Sequence, residues 1–198
     1  MRLRLKWNAI AASAVVLIGL ILGGAGQVTY AQAQRAAVAP KATTAEAWQT
    51  FAGPDGDFTV SLPGRPSRAA DAQGPVTTIR FYELITDKMH FVVNFQGLGG
   101  DPKARVSNEY AAGYEGLLSD SLREQGQRIV RMRRIARNMV DVEAWQTPKE
   151  TGADQHYLTR YIIRRGRTYQ LNCASRIGGQ EVDRAICRRF FSSFRFSR

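Results

Sequence analysis

Two cysteines and two histidines are all that this 198-residue chain offers for thiol or imidazole chemistry. No C-x-x-C, H-x-x-x-H or H-E-x-x-H spacing occurs, so a dedicated metal site and a cofactor are not expected. A G-x-S-x-G elbow is also missing, which removes the usual setting of a serine nucleophile. Gly97, Gly99 and Gly100 cluster without a lysine directly after them and outside any βαβ unit, so they read as a turn rather than a phosphate loop. His90 and His156 each fall within a strand-like run and read as strand residues rather than ligands. Ser192 and Ser193 stand between helix phenylalanines, a place for packing. The chain has no internal repeat and no low-complexity block. These absences favour a non-catalytic protein. The alternative is a small secreted hydrolase with a site built from dispersed polar residues, for which His90 or His156 facing a serine or carboxylate in a cleft would speak.

What is present begins with an address. Arg2, Arg4 and Lys6 precede an apolar run from Ala9 to about Gly24, and Ala31-Gln32-Ala33 follows as a small-residue cleavage signal. The run is on the order of 16 residues, short of the ~20 that span a bilayer. Residues 1–33 therefore read as a cleaved signal peptide of a periplasmic or secreted protein, with an uncleaved membrane anchor as the alternative. Cleavage would remove three of the 28 basic residues and none of the 17 acidic ones, leaving a net charge of +8. That charge favours attraction to anionic partners. With an export signal in front, nucleic acid is not expected. An anionic envelope component, an acidic protein face or a peripheral membrane contact is, against the plainer reading of a solvated basic surface.

Residues 34–47 are small, polar and without periodicity, and they predict a flexible linker. From residue 48 to residue 198 the pattern is that of one domain. Phe58, Val60 and Leu62 alternate with Thr59 and Ser61, between the turn residues Asp55-Gly56 and the pairing-breaker Pro63. Thr77–Thr86 and Met89–Leu98 predict a hairpin about Asp87-Lys88. A helix is expected from about Ser107, its N-cap, to Gln125, with Tyr110, Tyr114, Leu117, Leu118 and Leu122 as its apolar stripe and Gly126 at its end. Four strand-like runs follow: Arg128–Ala136, Met139–Gln146, His156–Ile163 and Thr168–Ala174. Gln180–Phe194 then predicts an amphipathic helix with Val182, Ile186, Phe190 and Phe194 inward. Strands without βαβ alternation, plus two long helices, predict an α+β domain.

The stretch "DFTVSLPGRP" and the ending "RRFFSSFRF", where Phe190 or Phe191, Ser193 and Phe194 fit an F-x-x-S-F pattern, resemble the PsbP-like superfamily, over roughly residues 48–198. The resemblance implies an α/β/α sandwich with a central, largely antiparallel sheet flanked by two long helices. It also implies a binding or assembly role rather than catalysis, and it carries no ligand or metal residue onto this chain.

Cys173 lies late in the last strand and Cys187 two turns into the final helix. In an oxidising compartment a disulfide between them is favoured over two buried thiols. The arginines cluster. Arg128, Arg131, Arg133 and Arg134 lie on one run, and Arg160, Arg164, Arg165 and Arg167 surround the next hairpin. If those strands are neighbours, they form one patch for an anionic partner. Pairing with Asp141, Glu143, Glu150 and Asp154 is the alternative. Asp141 and Glu143 are expected on a solvated sheet face, opposite Val140 and Val142.

Overall fold

The computed structural model describes residues 47–69, 72–73, 78–97, 108–148, 152–164 and 166–197. The expected leader, nearly all of the linker, Ser107, Gly99, Gly100, Glu150 and Arg165 lie outside them. The chain forms strands β1 (Gln49–Ala52), β2 (Phe58–Leu62), β3 (Ser67–Arg68), β4 (Ala72–Gln73), β5 (Thr78–Ile85) and β6 (Met89–Gly97). Helix α1 (Asn108–Glu124) follows, then β7 (Arg128–Ala136), β8 (Met139–Gln146), β9 (Gln155–Arg164), β10 (Arg167–Ser175), helix α2 (Arg184–Ser193) and β11 (Arg195–Phe196). Among the described residues no helix is long and apolar enough to cross a membrane.

The strands build two antiparallel sheets. The larger runs β3-β5-β6-β10-β9-β8-β7, with β4 beside β5, and the smaller runs β1-β2-β11. Alternation within each strand gives the larger sheet two different faces. On one face Phe91, Val93, Phe95, Tyr169, Leu171 and Cys173 pack against the small sheet and α2. On the other, Val140, Val142, Ala144, Tyr157, Tyr161 and Ile163 pack against Tyr114, Leu118 and Leu122 of α1. Leu117, counted in the expected stripe, faces solvent.

An α/β/α sandwich with two long helices is therefore not what forms. The protein is mostly β, and a second sheet takes much of the place given to a second long helix. The reason lies at both ends of α2. Asp183 is extended and its carboxylate accepts the N–H groups of Ala185 and Ile186 at 2.9 and 3.1 Å, so the helix starts at Arg184 rather than at Gln180. After Ser193 the chain extends, and Arg195 and Phe196 pair with Thr59 and Phe58. Ser193 ties the two elements: its hydroxyl accepts the Ser61 N–H at 2.8 Å and donates to Phe190 O at 2.6 Å. At the far end of α1, Gly126 takes a φ of +76°, and Gln127 N–H reaches Leu122 O while Gly126 N–H reaches Arg123 O, the paired bonds of a glycine C-terminal cap.

The core beneath α2 is aromatic. Phe58 stacks on Phe194 at 5.3 Å between ring centroids and meets Phe95 and Tyr169 edge-on at 5.5 and 5.8 Å, while Phe91 meets Phe190 at 5.4 Å. Edge-to-face pairs of this kind stabilise by about 0.5–1.5 kcal/mol beyond area burial. Cys173 of β10 and Cys187 of α2 form a disulfide in this core, locking the helix to the central strand.

Candidate anion-binding surface

Strand β7 is an edge strand, and an unpaired edge invites aggregation unless charge or irregularity blunts it. It carries both. Its register on β8 shifts between Ile129 and Arg131 and again between Arg134 and Ala136, and four of its nine residues are arginine. The first shift turns Arg131 and Arg133 to the α2 side, directly opposite Glu143 and Asp141. Arg134 points to the other face and bonds Glu115 of α1 at 3.1 Å.

The carboxylates beneath are committed elsewhere. Asp141 holds Arg160, its neighbour on β9, through two bonds of 2.7 and 2.9 Å, and the Arg160 guanidinium lies 5.1 Å from the Phe191 ring of α2. Glu143 takes a two-pronged contact from Arg184 of α2, one bond being 2.8 Å. Its Oε1 also meets His156 Nε2 at 3.2 Å. The Arg184 hydrogen bonds hold the Glu143 carboxyl below its ordinary pKa, burial opposing. Asp141 and Glu143 are thus not a solvated acidic pair, as the alternation predicted, but the floor that fixes two arginines.

Arg184, Arg188 and Phe191 share one flank of α2 by helical spacing, and the contacts of Arg184 and Phe191 show that this flank faces β8 and β9. Arg188 stands between them, exposed. Arg131, Arg133 and Arg188 have no carboxylate in ion-pair reach among the described residues. Arg128 joins the same side, 5.8 Å from the Trp145 ring and 3.9 Å from Asp154. The result is a shelf in which two carboxylates pin two guanidiniums and leave others turned to solvent.

The remaining arginines of the expected patch do not join it. Arg167 bonds Asp55 and Asp57 at 3.0 and 2.9 Å, and Arg80 shares Asp55, so the turn before β2 is clamped onto β5 and β10. The Arg80 hydrogen bond, with Arg167 adding to it, lowers the Asp55 pKa. Arg164 lies 4.1 Å from the Phe196 ring. Strand neighbourhood therefore brings Arg128, Arg131, Arg133 and Arg160 together, with Arg134 on the opposite face and Arg164 and Arg167 absorbed by the small sheet and its turn. Sequence reasoning left Arg184 and Arg188 out of the patch, although their four-residue spacing on an amphipathic helix was the available signal.

Both histidines face carboxylates. His156 is fully buried, stacked on Trp145 at 4.5 Å, and its Nδ1 accepts the Val182 N–H at 3.1 Å. The proton therefore sits on Nε2 and is donated to Glu143. That arrangement pins the start of α2 to β8 and β9. His90 Nε2 lies 3.0 Å from Glu83 on the opposite sheet face. Each histidine thus meets the carboxylate named for the hydrolase alternative, but both are buried rather than open to a cleft, and neither hydrogen-bonds a serine among the described residues.

No family model matches this chain. No curated protein matches it either. Among solved structures it is similar to a protein from Bacteroides thetaiotaomicron at 8% identity and a TM-score of 0.43, over 78% of this chain and 50% of that one. The chain spans about half the length of that protein, and the likeness carries no argument about fold or function.

Proposed function

We propose that this chain is a non-catalytic extracytoplasmic binding or accessory domain that holds an anionic surface of the cell envelope on the shelf between β7 and α2. The carrying observation is the convergence of Arg131, Arg133 and Arg188, exposed and without carboxylate partners among the described residues, around the pinned pairs Asp141–Arg160 and Glu143–Arg184. Guanidinium forks suit phosphate and carboxylate oxygens, and fixed neighbours lower the entropy lost on contact. The export signal read in residues 1–33 and the disulfide support the location.

The test is binding of the domain to vesicles containing anionic lipid and, in a second arm, to a soluble acidic polymer such as polyphosphate. Each arginine near an anionic surface contributes about 1 kcal/mol. Replacing Arg131, Arg133 and Arg188 by serine should weaken binding on the order of 100-fold. Because exposed charges are screened over about 8 Å at physiological salt, wild-type binding should fall as salt rises. Equal binding of wild type and the triple variant to both probes at low salt would refute the proposal.

A further inference from the structure

The sheet face beneath α1 has an unusual middle. At one side α1 and the residues of β8 and β9 make an apolar cluster; at the other Ile79, Phe81 and Val92 make a second one with Ala69. Between them the central strand β10 and its neighbours carry amides and hydroxyls at facing positions. Gln170 stands opposite Asn94 of β6 on one side and Tyr161 of β9 on the other, and Asn172 stands opposite Thr159. They form a net: Asn94 Nδ2 donates to Gln170 Oε1 at 3.0 Å, Gln170 Nε2 reaches Tyr161 OH at 3.4 Å, and Asn172 Nδ2 donates to Thr159 Oγ1 at 2.9 Å. Gln96, two residues from Asn94 on the same face, is 5% exposed, and its Oε1 is buried with no hydrogen-bond partner among the described residues.

The bonds of the row offset the burial of its own groups, but Gln96 adds a cost that nothing in the row offsets. A buried amide oxygen without a donor costs about 1–3 kcal/mol, and an apolar side chain of similar shape would remove that cost. The row is also neutral. The charged groups of β5 and β6 on this face, Glu83 and His90, bond each other at 3.0 Å. Side-chain amides present a donor and an acceptor side by side, which matches adjacent hydroxyl and acetamido groups, and the pairing of Glu83 with His90 leaves no free charge among the described residues of β5 and β6 on this face, which disfavours ions. We infer that this amide row is a binding site for a neutral, hydroxyl-rich ligand, a glycan segment, on the face opposite the arginine shelf and independent of it.

The test is a titration of the isotope-labelled domain with cellotetraose and, separately, with chitotetraose, following the side-chain amide signals of Asn94, Gln96 and Gln170 by NMR. Saturable shifts with either sugar, unaffected by added salt, are expected, and the sugar that acts tells plain hydroxyl from acetamido recognition. Gln96→Met should keep or raise the unfolding midpoint while weakening sugar binding by about tenfold, the worth of one hydrogen bond. Gln170→Leu should also weaken sugar binding, but at a cost in stability, because Asn94 Nδ2 and Tyr161 OH lose their partner. The Arg131, Arg133 and Arg188 triple variant should bind sugar as wild type does, which separates failure here from failure of the anionic reading. No saturable shift with either sugar, or Gln96→Met that binds sugar normally and unfolds earlier, would overturn the inference.

Discussion

Glu143 is the point at which β8, β9 and α2 are joined, and removing it separates two kinds of interaction. In Glu143→Ala, Arg184 loses its partner but is 47% exposed at its side chain and returns to water, a loss of roughly 0–1 kcal/mol. His156 cannot do the same. It is fully buried, its Nδ1 is occupied by Val182 N–H, and its Nε2 proton would have no acceptor, at about 1–3 kcal/mol. The expected total is about 2 kcal/mol. Arg184→Ala, which leaves the His156 bond intact, should cost under ~1 kcal/mol. Glu143→Gln retains an oxygen for His156 and should fall between them. Urea unfolding is the assay, followed by tryptophan fluorescence because Trp145 stacks on His156. With a slope of roughly 2 kcal/mol per molar urea, the alanine variant should unfold about 1 M earlier. Acid adds a second check. The Glu143 pKa is lowered in the fold, so its contribution is present above the ordinary value of 4.5 and is lost as pH falls through the folded value. The curves of wild type and Glu143→Gln should converge in that window. Equal destabilisation by Glu143→Ala and Arg184→Ala would refute the reasoning, because the buried histidine would then carry none of it.

Breaking the Cys173–Cys187 bond, which closes a separation of 14 residues, should cost about 3 kcal/mol in the chain-entropy model; an unchanged urea midpoint under reducing conditions would refute it. Phe190→Ala, at a fully buried position touching Phe91, should cost about 3–5 kcal/mol, while Leu117→Ala on exposed α1 surface should change stability by under ~0.5 kcal/mol in the same assay. Gly53→Ala would place its Cβ 2.5 Å from the Phe58 ring, so the near-ultraviolet circular dichroism of the aromatic core should change, where Gly113→Ala, with open space around it, should leave it as it is.

Much of the local structure was legible. Period-two alternation marks β2, β6 and β8, the Asp87-Lys88 turn marks the β5–β6 hairpin, and Gly126 marks the end of α1, because each depends on neighbours within a few residues. The fold class was not legible, since β1 and β11 are short and become strands only by pairing with β2 across the chain. The shelf was half legible. The density of arginine on β7 shows in the sequence, but which arginines stay free depends on the bulges in β7 and on where α2 brings Arg184 and Arg188. The amide row had no sequence signal. Asn94, Gln170 and Asn172 look like ordinary polar positions until β10 is placed between β6 and β9.

By itself, the order of residues determined which segments alternate, where helices stop, the excess of positive charge and that Cys173 and Cys187 could meet. All of these follow from short-range backbone preference and composition. Only the tertiary structure decided the second sheet, the pairing of each carboxylate and the two faces of β10. Those depend on contacts between residues far apart in the chain, such as Ser61 and Ser193 at 132 positions, where the cost of closing the chain is repaid only once the whole core has formed.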